Sequence, residues 1–166
     1  LGSQRPADRT GVERALRAVP HRGELIEVVV CGSCALGVVR YAAEDAASVA
    51  TAGGWAAAVV GVVDNLPELA AALRERGVDP VDTTSASTLL AAYRALGDDL
   101  LPRLRGAFAI TITDGKTIRS LRDQVGWKAV FHRTDSTGVW LGSEAKQIVA
   151  GAGLRKEPDV TLLEAI

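Results

Sequence analysis

This chain of 166 residues contains no methionine and two cysteines, and aromatic side chains make up only 4% of it. It has no uninterrupted run of 18 apolar residues, so the sequence predicts no membrane-spanning helix. It also shows no charged segment leading into a short apolar one, the pattern of an export signal. No basic stripe is visible, which argues against nucleic acid as a partner. We therefore expect a cytoplasmic protein.

The missing methionine bears on where the native polypeptide begins. The first residue is Leu1, and leucine is too large to permit ordinary removal of an initiator methionine. We therefore expect further residues upstream of Leu1. Hydrophobic residues make up 48% and charged residues 23% of the chain, which is typical of one globular domain. Lysine is scarce, while alanine, glycine and arginine are abundant, and this bias favours a bacterial genome rich in G and C.

The two cysteines, Cys31 and Cys34, form C-G-S-C. Together with His21 and His132 they provide the ligand types of a Cys2His2 zinc site. A second closely spaced pair of ligands is missing, however, and the residues on both sides of Gly32-Ser33 are typical of β-strands. We therefore favour a hairpin turn with a cysteine on each side.

Periodicity and end signals predict the remaining elements. The predicted helices are Thr10–Val19 with Thr10 as its cap, Pro67–Gly77, a helix from about Ser87 to Gly97 capped within its upstream Ser/Thr cluster, and a short one in "SEAKQIVAGAG". The predicted strands are a hairpin from Leu25 to about Tyr41, the buried run "AAAVVGVVDN", a hairpin around Asp114-Gly115, and another in "KAVFHRTDSTGVWLGSE". Residues 41–55 are predicted to form a loop. This order indicates an α+β fold with antiparallel sheets packed by helices.

Seven short segments, in order over about residues 1–150, resemble motifs of the class II glutamine amidotransferase domain of asparagine synthetases. Pro20–Gly23 resembles its H-R-G-P-D turn, and Arg40 in "LGVVRYAAED" falls on the arginine of L-G-H-x-R-L-x-I-x-D. The segment "VGVVDNLPEL" is similar to N-G-E-I-Y-N-x-x-E-L. The other four are "AAYRALG", "LRGAFAITITD", "RDQVGWKAVF" and "GSEAKQI". Each match is weak alone, but seven in the same order indicate homology.

The resemblance implies a fold and a domain division. The family fold is a four-layer αββα sandwich of two antiparallel sheets, the Ntn-hydrolase architecture, in agreement with the element order above. Residues 1–150 would form the amidotransferase-like domain, and residues 151–166 would begin the linker to an absent synthetase domain. That domain would bind ATP and Mg²⁺, whereas we expect this segment to bind no cofactor and no metal.

The resemblance also implies a chemistry. In active members an N-terminal cysteine attacks the side-chain amide of glutamine and uses its own α-amino group as the base. An asparagine side chain and a glycine backbone N–H hold the oxyanion. An arginine binds the glutamine carboxylate, and a Glu/Asp pair helps to hold the glutamine amino group.

Most of these groups are replaced in this chain. Leu1 cannot act as the nucleophile, and the register places the family cysteine a few residues upstream of it. Val60 falls on the oxyanion asparagine, and loss of one such donor typically lowers the rate by about 10²–10³. Val62 falls on the carboxylate that binds the substrate amine. Arg40 and Gly61 match the family.

The last family motif tested, S-D-x-E, falls on Thr84–Ser87, so Ser85 replaces its aspartate. We interpret five residues as a vestigial glutamine pocket that contains no catalytic residue: Arg40, Val60, Gly61, Val62 and Ser85. Arg40 and Gly61 also have structural interpretations, as the partner of an acidic group and as a site of close packing. An N-cap role is favoured for Ser85 and Ser87.

Several other polar groups are interpreted as structural. His21 is expected to be a satisfied turn residue, Arg122-Asp123 an ion pair or cap, and Ser143-Glu144 the cap of the last helix. The tryptophans, Trp55, Trp127 and Trp140, are interpreted as core or domain-interface anchors.

These observations predict the non-catalytic N-terminal domain of an asparagine-synthetase-like, ATP-dependent amide-forming ligase. Degenerate first domains of this kind resemble those of β-lactam synthetases and lasso-peptide cyclases. The missing domain would adenylate a carboxylate, and an amine of a small-molecule or peptide substrate would then attack it. The expected partners are the chain's own synthetase domain and that substrate, and a homodimer is left open.

Two alternatives remain at this stage. One is a genuine glutamine-hydrolysing asparagine synthetase whose N-terminal cysteine lies outside the chain. The other is a stand-alone binding protein without enzymatic activity, whose native polypeptide would be no longer than this chain. Val60 and Val62 argue against the first.

Overall fold

The computed structural model describes residues 6–42, 47–136 and 138–155. The helices are α1 (Arg9–Arg17), α2 (Leu66–Glu75), α3 (Ser85–Leu96) and α4 (Ala145–Gly151), and Pro20–Arg22 and Gly97–Arg103 form 3-10 helices. The strands are β1 (Leu25–Cys31), β2 (Cys34–Arg40), β3 (Ala47–Ala52), β4 (Trp55–Val63), β5 (Gly106–Thr113), β6 (Ile118–Arg122), β7 (Phe131–Asp135) and β8 (Gly138–Gly142). No helix in these ranges is long enough and apolar enough to cross a membrane.

The described elements stack as helix, sheet, sheet and helix. Strands β3, β4, β5 and β6 form one antiparallel sheet in that order, with α3 packed on one face and α2 against α3. The β1–β2 hairpin covers the other face, and α1 lies over the hairpin and against α4. Strands β7 and β8 form a further hairpin on α4. The predicted α+β class with antiparallel sheets is confirmed, and the second β layer is built from hairpins.

Strand β4 has neighbours on both of its faces, as its continuous apolar run predicts. Val59 and Val63 face the core formed with α2 and α3, where Val59 is fully buried. On the other face Ala56 packs against the β1–β2 hairpin. Because side chains alternate along a strand, Val60 and Val62 share the face of Ala56. Val60 therefore faces the space between the two β layers, and Val62 follows on the same face where the strand becomes exposed.

One end of the sandwich is closed by contacts between turns. The backbone N–H and the hydroxyl of Ser33 both donate to the carbonyl of Gly115, at 2.9 and 2.8 Å. The thiol of Cys31 donates to the carbonyl of Gly54 at 3.0 Å, and burial is the largest cause that raises the pKa of this thiol. Cys31 and Cys34 are register partners that flank the hairpin turn, as predicted. Val60 and Gly61 lie toward the opposite end of β4.

The prediction of a loop over residues 41–55 is wrong for Ala47–Ala52, which form β3. This strand pairs with β4 from Ala47 opposite Val60 to Ala52 opposite Trp55. Alanine is a poor strand former, so the local sequence conceals a strand that pairing with β4 stabilises. Residues 43–46 of the predicted loop lie outside the described residues.

The predicted caps are partly corrected. The N-cap of α1 is Asp8 instead of Thr10, because its Oδ1 accepts the N–H of Gly11 at 2.7 Å. Aspartate and threonine are both good N-cap residues. Here the helix begins directly after Asp8, the earlier of the two. Helix α3 begins two residues before the predicted Ser87. Its N-cap is Thr84, from the predicted Ser/Thr cluster, whose Oγ1 accepts the N–H of Ser87 at 3.2 Å.

The two C-terminal hairpins are confirmed. The turn between β5 and β6 is held by Asp114, whose Oδ1 accepts the N–H groups of Lys116 and Thr117 at 2.9 and 2.7 Å. The β7–β8 hairpin packs through Trp140 on α4, where a Cβ on Gly151 would lie 2.7 Å from the indole ring. Trp140 is therefore a packing anchor, one of its two predicted roles.

Asn65 provides a test of how the end of β4 is joined to β5. Its Nδ2 donates to the carbonyl of Arg103 and its Oδ1 accepts the N–H of Arg105, both at 2.8 Å. Because Asn65 is buried, we expect Asn65→Ala to lower the free energy of unfolding by about 2 kcal/mol, since both backbone groups lose their partner. Urea denaturation measures this change. Gln124→Ala, at an exposed position, should change it by less than about 0.5 kcal/mol, and equal effects would contradict the expectation.

Candidate functional site

A cavity of about 240 Å³ lies where β4 ends, between the central sheet and the β1–β2 hairpin. Its apolar lining consists of Leu16, Val38, Val39, Ala47 and Val60, with Gly37 and Gly61. Its polar lining consists of His21, Arg22, Tyr41, Lys128, Ser143 and Gln147. These side chains come from distant parts of the chain, so only the fold assembles the cavity. We call it the β4 cavity.

Val60 contributes hydrocarbon where the resemblance places an oxyanion donor. It lies opposite Ala47 on one side and Ala109 on the other, so its position in the sheet is set by pairing with both neighbours. Val62 lies on the same face of β4 but is 56% exposed and lies outside the described lining. Neither side chain can donate a hydrogen bond. The end of β4 therefore presents an apolar surface to the cavity and to its surroundings.

Gly61 allows two other segments to approach β4 closely. Its φ is +105°, and a Cβ at this position would lie 2.1 Å from the carbonyl oxygen of Ala107. The same Cβ would lie 3.0 Å from Cε of Lys128. No residue with a side chain fits here without displacing the backbone of β5. Close packing is therefore one reason for glycine at this position.

Arg40 ends β2 on the edge of this region, and its guanidinium is engaged within the hairpin. Its Nε and one Nη donate to Oε1 of Glu27 at 3.0 and 2.7 Å. Arg40 lies outside the described lining of the β4 cavity. The resemblance assigns this guanidinium to the carboxylate of the substrate. In the structure it binds the carboxylate of Glu27 instead. This is the structural interpretation that the sequence offers for Arg40.

Ser85 is the first residue of α3, at the same end of the central sheet. The following N–H, of Ala86, donates to Oγ of Ser48 at 3.0 Å, which joins α3 to β3. Ser85 lies outside the described lining of the cavity. The N-cap role favoured for Ser85 and Ser87 belongs instead to Thr84. The hydroxyl of Ser87 instead accepts the N–H of Asp82 at 3.1 Å.

Lys128 also lines the cavity, and the sequence does not single it out as a site residue. It follows a turn organised by Asp123, whose carboxylate accepts the N–H groups of Trp127 and Lys128 at 2.9 and 3.1 Å. Burial acts to raise the pKa of Asp123, but the backbone donors outweigh it and hold that pKa below its usual value. Asp123 is thus a turn-forming residue, in line with its predicted structural role. The turn places the Lys128 side chain across Gly61 at the cavity.

A charge cluster around Glu144 forms the opposite wall. Its Oε1 accepts from Arg22 Nε and from His21 Nε2, the latter at 2.8 Å, and its Oε2 pairs with Lys146 Nζ at 3.1 Å. The hydrogen bond from Arg22 is the largest cause that lowers the pKa of Glu144 to about 2, and Lys146 and His21 add to it against the effect of burial. Glu144 also caps α4 in a capping box with Gln147, which confirms the predicted cap.

No pair of nucleophile and base is visible in the described lining. A nucleophile needs a base within hydrogen-bond reach. Within the described ranges, no hydroxyl or thiol is hydrogen-bonded to a histidine side chain, and the hydroxyl of Tyr41 donates to the backbone carbonyl of His21 at 3.1 Å. No group of three or more His, Cys, Asp or Glu residues gathers there as a metal site either.

Comparison with known proteins identifies the family. A family model described as a glutamine amidotransferase domain matches residues 1–166. The chain belongs to the glutamine amidotransferase domain family. It is also 31% identical over 108 residues to glutamine-hydrolyzing asparagine synthetase 3 of Bacillus subtilis (strain 168). That alignment covers 64% of this chain and 18% of the relative, so the chain spans less than a fifth of the relative's length.

In this amidotransferase domain, local sequence reveals only part of the cavity. Val60 and Gly61 are found from a motif of β4, and the structure places both in the lining. Lys128 carries a weak signal, since it lies in a segment that resembles a family motif. Nothing local indicates that Glu144 binds His21 and Arg22, because 123 and 122 residues separate them.

Gly61→Ala tests the close approach at the end of β4. Backbone strain at positive φ costs about 1–2 kcal/mol, and forcing a Cβ against Ala107 adds about 1–3 kcal/mol. We expect the free energy of unfolding, measured in urea, to fall by about 3 kcal/mol or more. Gly77→Ala is the matched control, because Gly77 has φ +72° and open space around it. It should lose only the strain, and equal losses would contradict the clash.

The charge cluster predicts an acid-dependent loss of stability. The pKa of Glu144 is lowered to about 2 from its ordinary value of 4.5. Its contribution is therefore present above pH 4.5 and is lost as the pH falls toward 2. The difference in unfolding free energy between wild type and Glu144→Gln should be largest above pH 5 and should shrink toward pH 2. Glu75→Gln, at an exposed position on α2, should show no such dependence in the same titration.

Proposed function

We propose that this amidotransferase domain has lost glutaminase activity and serves as the N-terminal module of an ATP-dependent amide-forming ligase. The observation that carries this proposal is the hydrocarbon at the end of β4, where Val60 lines the cavity beside Gly61. An oxyanion in this position would meet one backbone N–H at most from these residues, and loss of one donor alone lowers such rates by about 10²–10³.

Recognition of glutamine is weakened as well. Val62 offers no carboxylate for the substrate amine, and Ser85 lies outside the described lining. Arg40, the group expected to bind the substrate carboxylate, donates to Glu27 within its own hairpin. A site built to bind the polar ends of a substrate loses affinity steeply when those partners are missing. These contacts support a loss of glutamine recognition, and of the five residues only Val60 and Gly61 belong to the described lining of the β4 cavity.

The remaining role of the module would be to pair with a synthetase domain. In the proposal that domain binds ATP and Mg²⁺ and adenylates a carboxylate, and an amine of the substrate replaces ammonia, as in β-lactam or lasso-peptide biosynthesis. A partner is supported by three exposed large apolar side chains that lie close in sequence to the lining residues Gly61 and Lys128: Val62 at 56%, Val125 at 80% and Trp127 at 76%. Aromatic residues of this kind anchor interfaces.

The test is a glutaminase assay of the full-length protein that carries this domain. We expect glutamate release at least about 10³-fold slower than that of the Bacillus subtilis relative assayed in parallel, on the basis of the lost donor and substrate contacts. Amide formation with an added amine should proceed without glutamine. Release of glutamate at the relative's rate would contradict the proposal, because the apolar end of β4 would then support hydrolysis.

The second candidate is a genuine glutamine-hydrolysing asparagine synthetase. It is favoured by the similarity to glutamine-hydrolyzing asparagine synthetase 3 of Bacillus subtilis, which is 31% identical to this chain over 108 residues. In this case a cysteine upstream of Leu1 would be the nucleophile, and its replacement by alanine would abolish glutamate release. The same assay separates the two functions, since the first predicts no cysteine-dependent release.

A further inference from the structure

The described lining of the β4 cavity contains basic side chains but no acidic ones. His21, Arg22 and Lys128 line it, and its described lining includes no acidic side chain. Glu144 lies behind this wall and already binds Arg22, His21 and Lys146. Lys128 has no such partner, since none of the described carboxylates lies within 4.0 Å of its ammonium group. The cavity therefore retains one cation that a bound anion would neutralise.

The nearest acidic group on the same segment is already committed. The carboxylate of Asp123 is buried and accepts the backbone N–H groups of Trp127 and Lys128. It shapes the turn, while the Lys128 side chain continues past Gly61 to the cavity. Lys128 is itself half-buried, so its charge is incompletely solvated. Partial desolvation strengthens the attraction of a cation for an anion over that of an exposed pair.

The rest of the lining sets the shape and polarity of a ligand. Val38, Val39, Ala47 and Val60 supply hydrocarbon, and burial of apolar surface stabilises a bound alkyl group by roughly 25 cal/mol per Å². The volume of about 240 Å³ accommodates only a small molecule. Val60 offers no hydrogen bond for an amide or an ammonium group. The complementary molecule is thus a short acid with an apolar body.

We propose that the β4 cavity binds a small apolar carboxylate, with Lys128 as its charge partner. This inference deepens the proposed function and rests on it, because it names the ligand class that the emptied glutamine pocket would accept. The former reaction site becomes a binding site. Its occupant lies between the hairpin and the central sheet, and so holds two layers of the domain together.

The test compares two molecules that differ mainly in charge, 3-methylbutyrate and 3-methylbutyramide. Binding to the full chain is followed by NMR shifts of the backbone amides of Val60 and Gly61 during titration. We expect the carboxylate to bind at least about 10-fold more tightly than the amide, with the shifts confined to the cavity. Inorganic phosphate, which lacks an alkyl group, should bind more weakly than the carboxylate. This comparison needs no variant, so it is independent of folding defects.

Variants then assign the charge partner. Lys128→Gln should lower the affinity for 3-methylbutyrate about 10-fold and remove the preference over the amide. Lys116→Gln is the matched control, since Lys116 is exposed on the β5–β6 turn, at the opposite end of the sandwich. It should leave both affinities unchanged. Equal binding of acid and amide, shifts outside the cavity, or an unchanged affinity in Lys128→Gln would each overturn the proposal.

The two proposals fail in distinguishable ways. Glutamate release at the relative's rate would overturn the lost glutaminase activity, whatever the titration shows. Absence of carboxylate binding, together with absence of glutamate release, would overturn only the ligand assignment. Binding of glutamine more tightly than 3-methylbutyrate would overturn both, because the cavity would then recognise the polar ends of the family substrate.

Discussion

The packing of β4 on both of its faces is the constraint on which this domain depends. Val59 and Val63 bind the sheet to the core under α2 and α3, while Ala56 and Val60 face the β1–β2 hairpin. Both β layers therefore meet along one strand. Where that strand ends, Gly61 has no room for a side chain, so the segment carrying Lys128 can lie against it. The cavity is a consequence of how β4 is packed.

Charge is distributed unequally around that cavity. Glu144 gathers Arg22, His21 and Lys146 on one wall, and Glu27 binds Arg40 nearby. The pair of Glu27 with Arg40 engages the guanidinium that the resemblance assigns to a substrate carboxylate. The pairs of Glu144 hold the Pro20–Arg22 turn to α4 across the layer of helices. The polar groups of these pairs thus stabilise the fold through contacts within the chain.

Most elements of the fold were predictable because their signals are local. Alternation around Asp114-Gly115 predicted a hairpin, and the continuous apolar run of β4 predicted burial on both faces. The prediction failed at Ala47–Ala52, where alanine disguises a strand that exists through its pairing with β4. It also chose Thr10 over Asp8 as a cap, since two good capping residues within one turn cannot be ranked by type alone.

The sequence by itself determined the chemistry available at the end of β4, because Val60 and Val62 lack a hydrogen-bonding group in any conformation. It also determined most of the order of strands and helices, which follows from local periodicity, with β3 as the exception. Only the tertiary structure decided that Lys128 lies across Gly61, that Glu27 engages Arg40, and that Glu144 binds Arg22 across 122 residues of chain. Contacts at such separations depend on how whole layers pack, and no short segment encodes them.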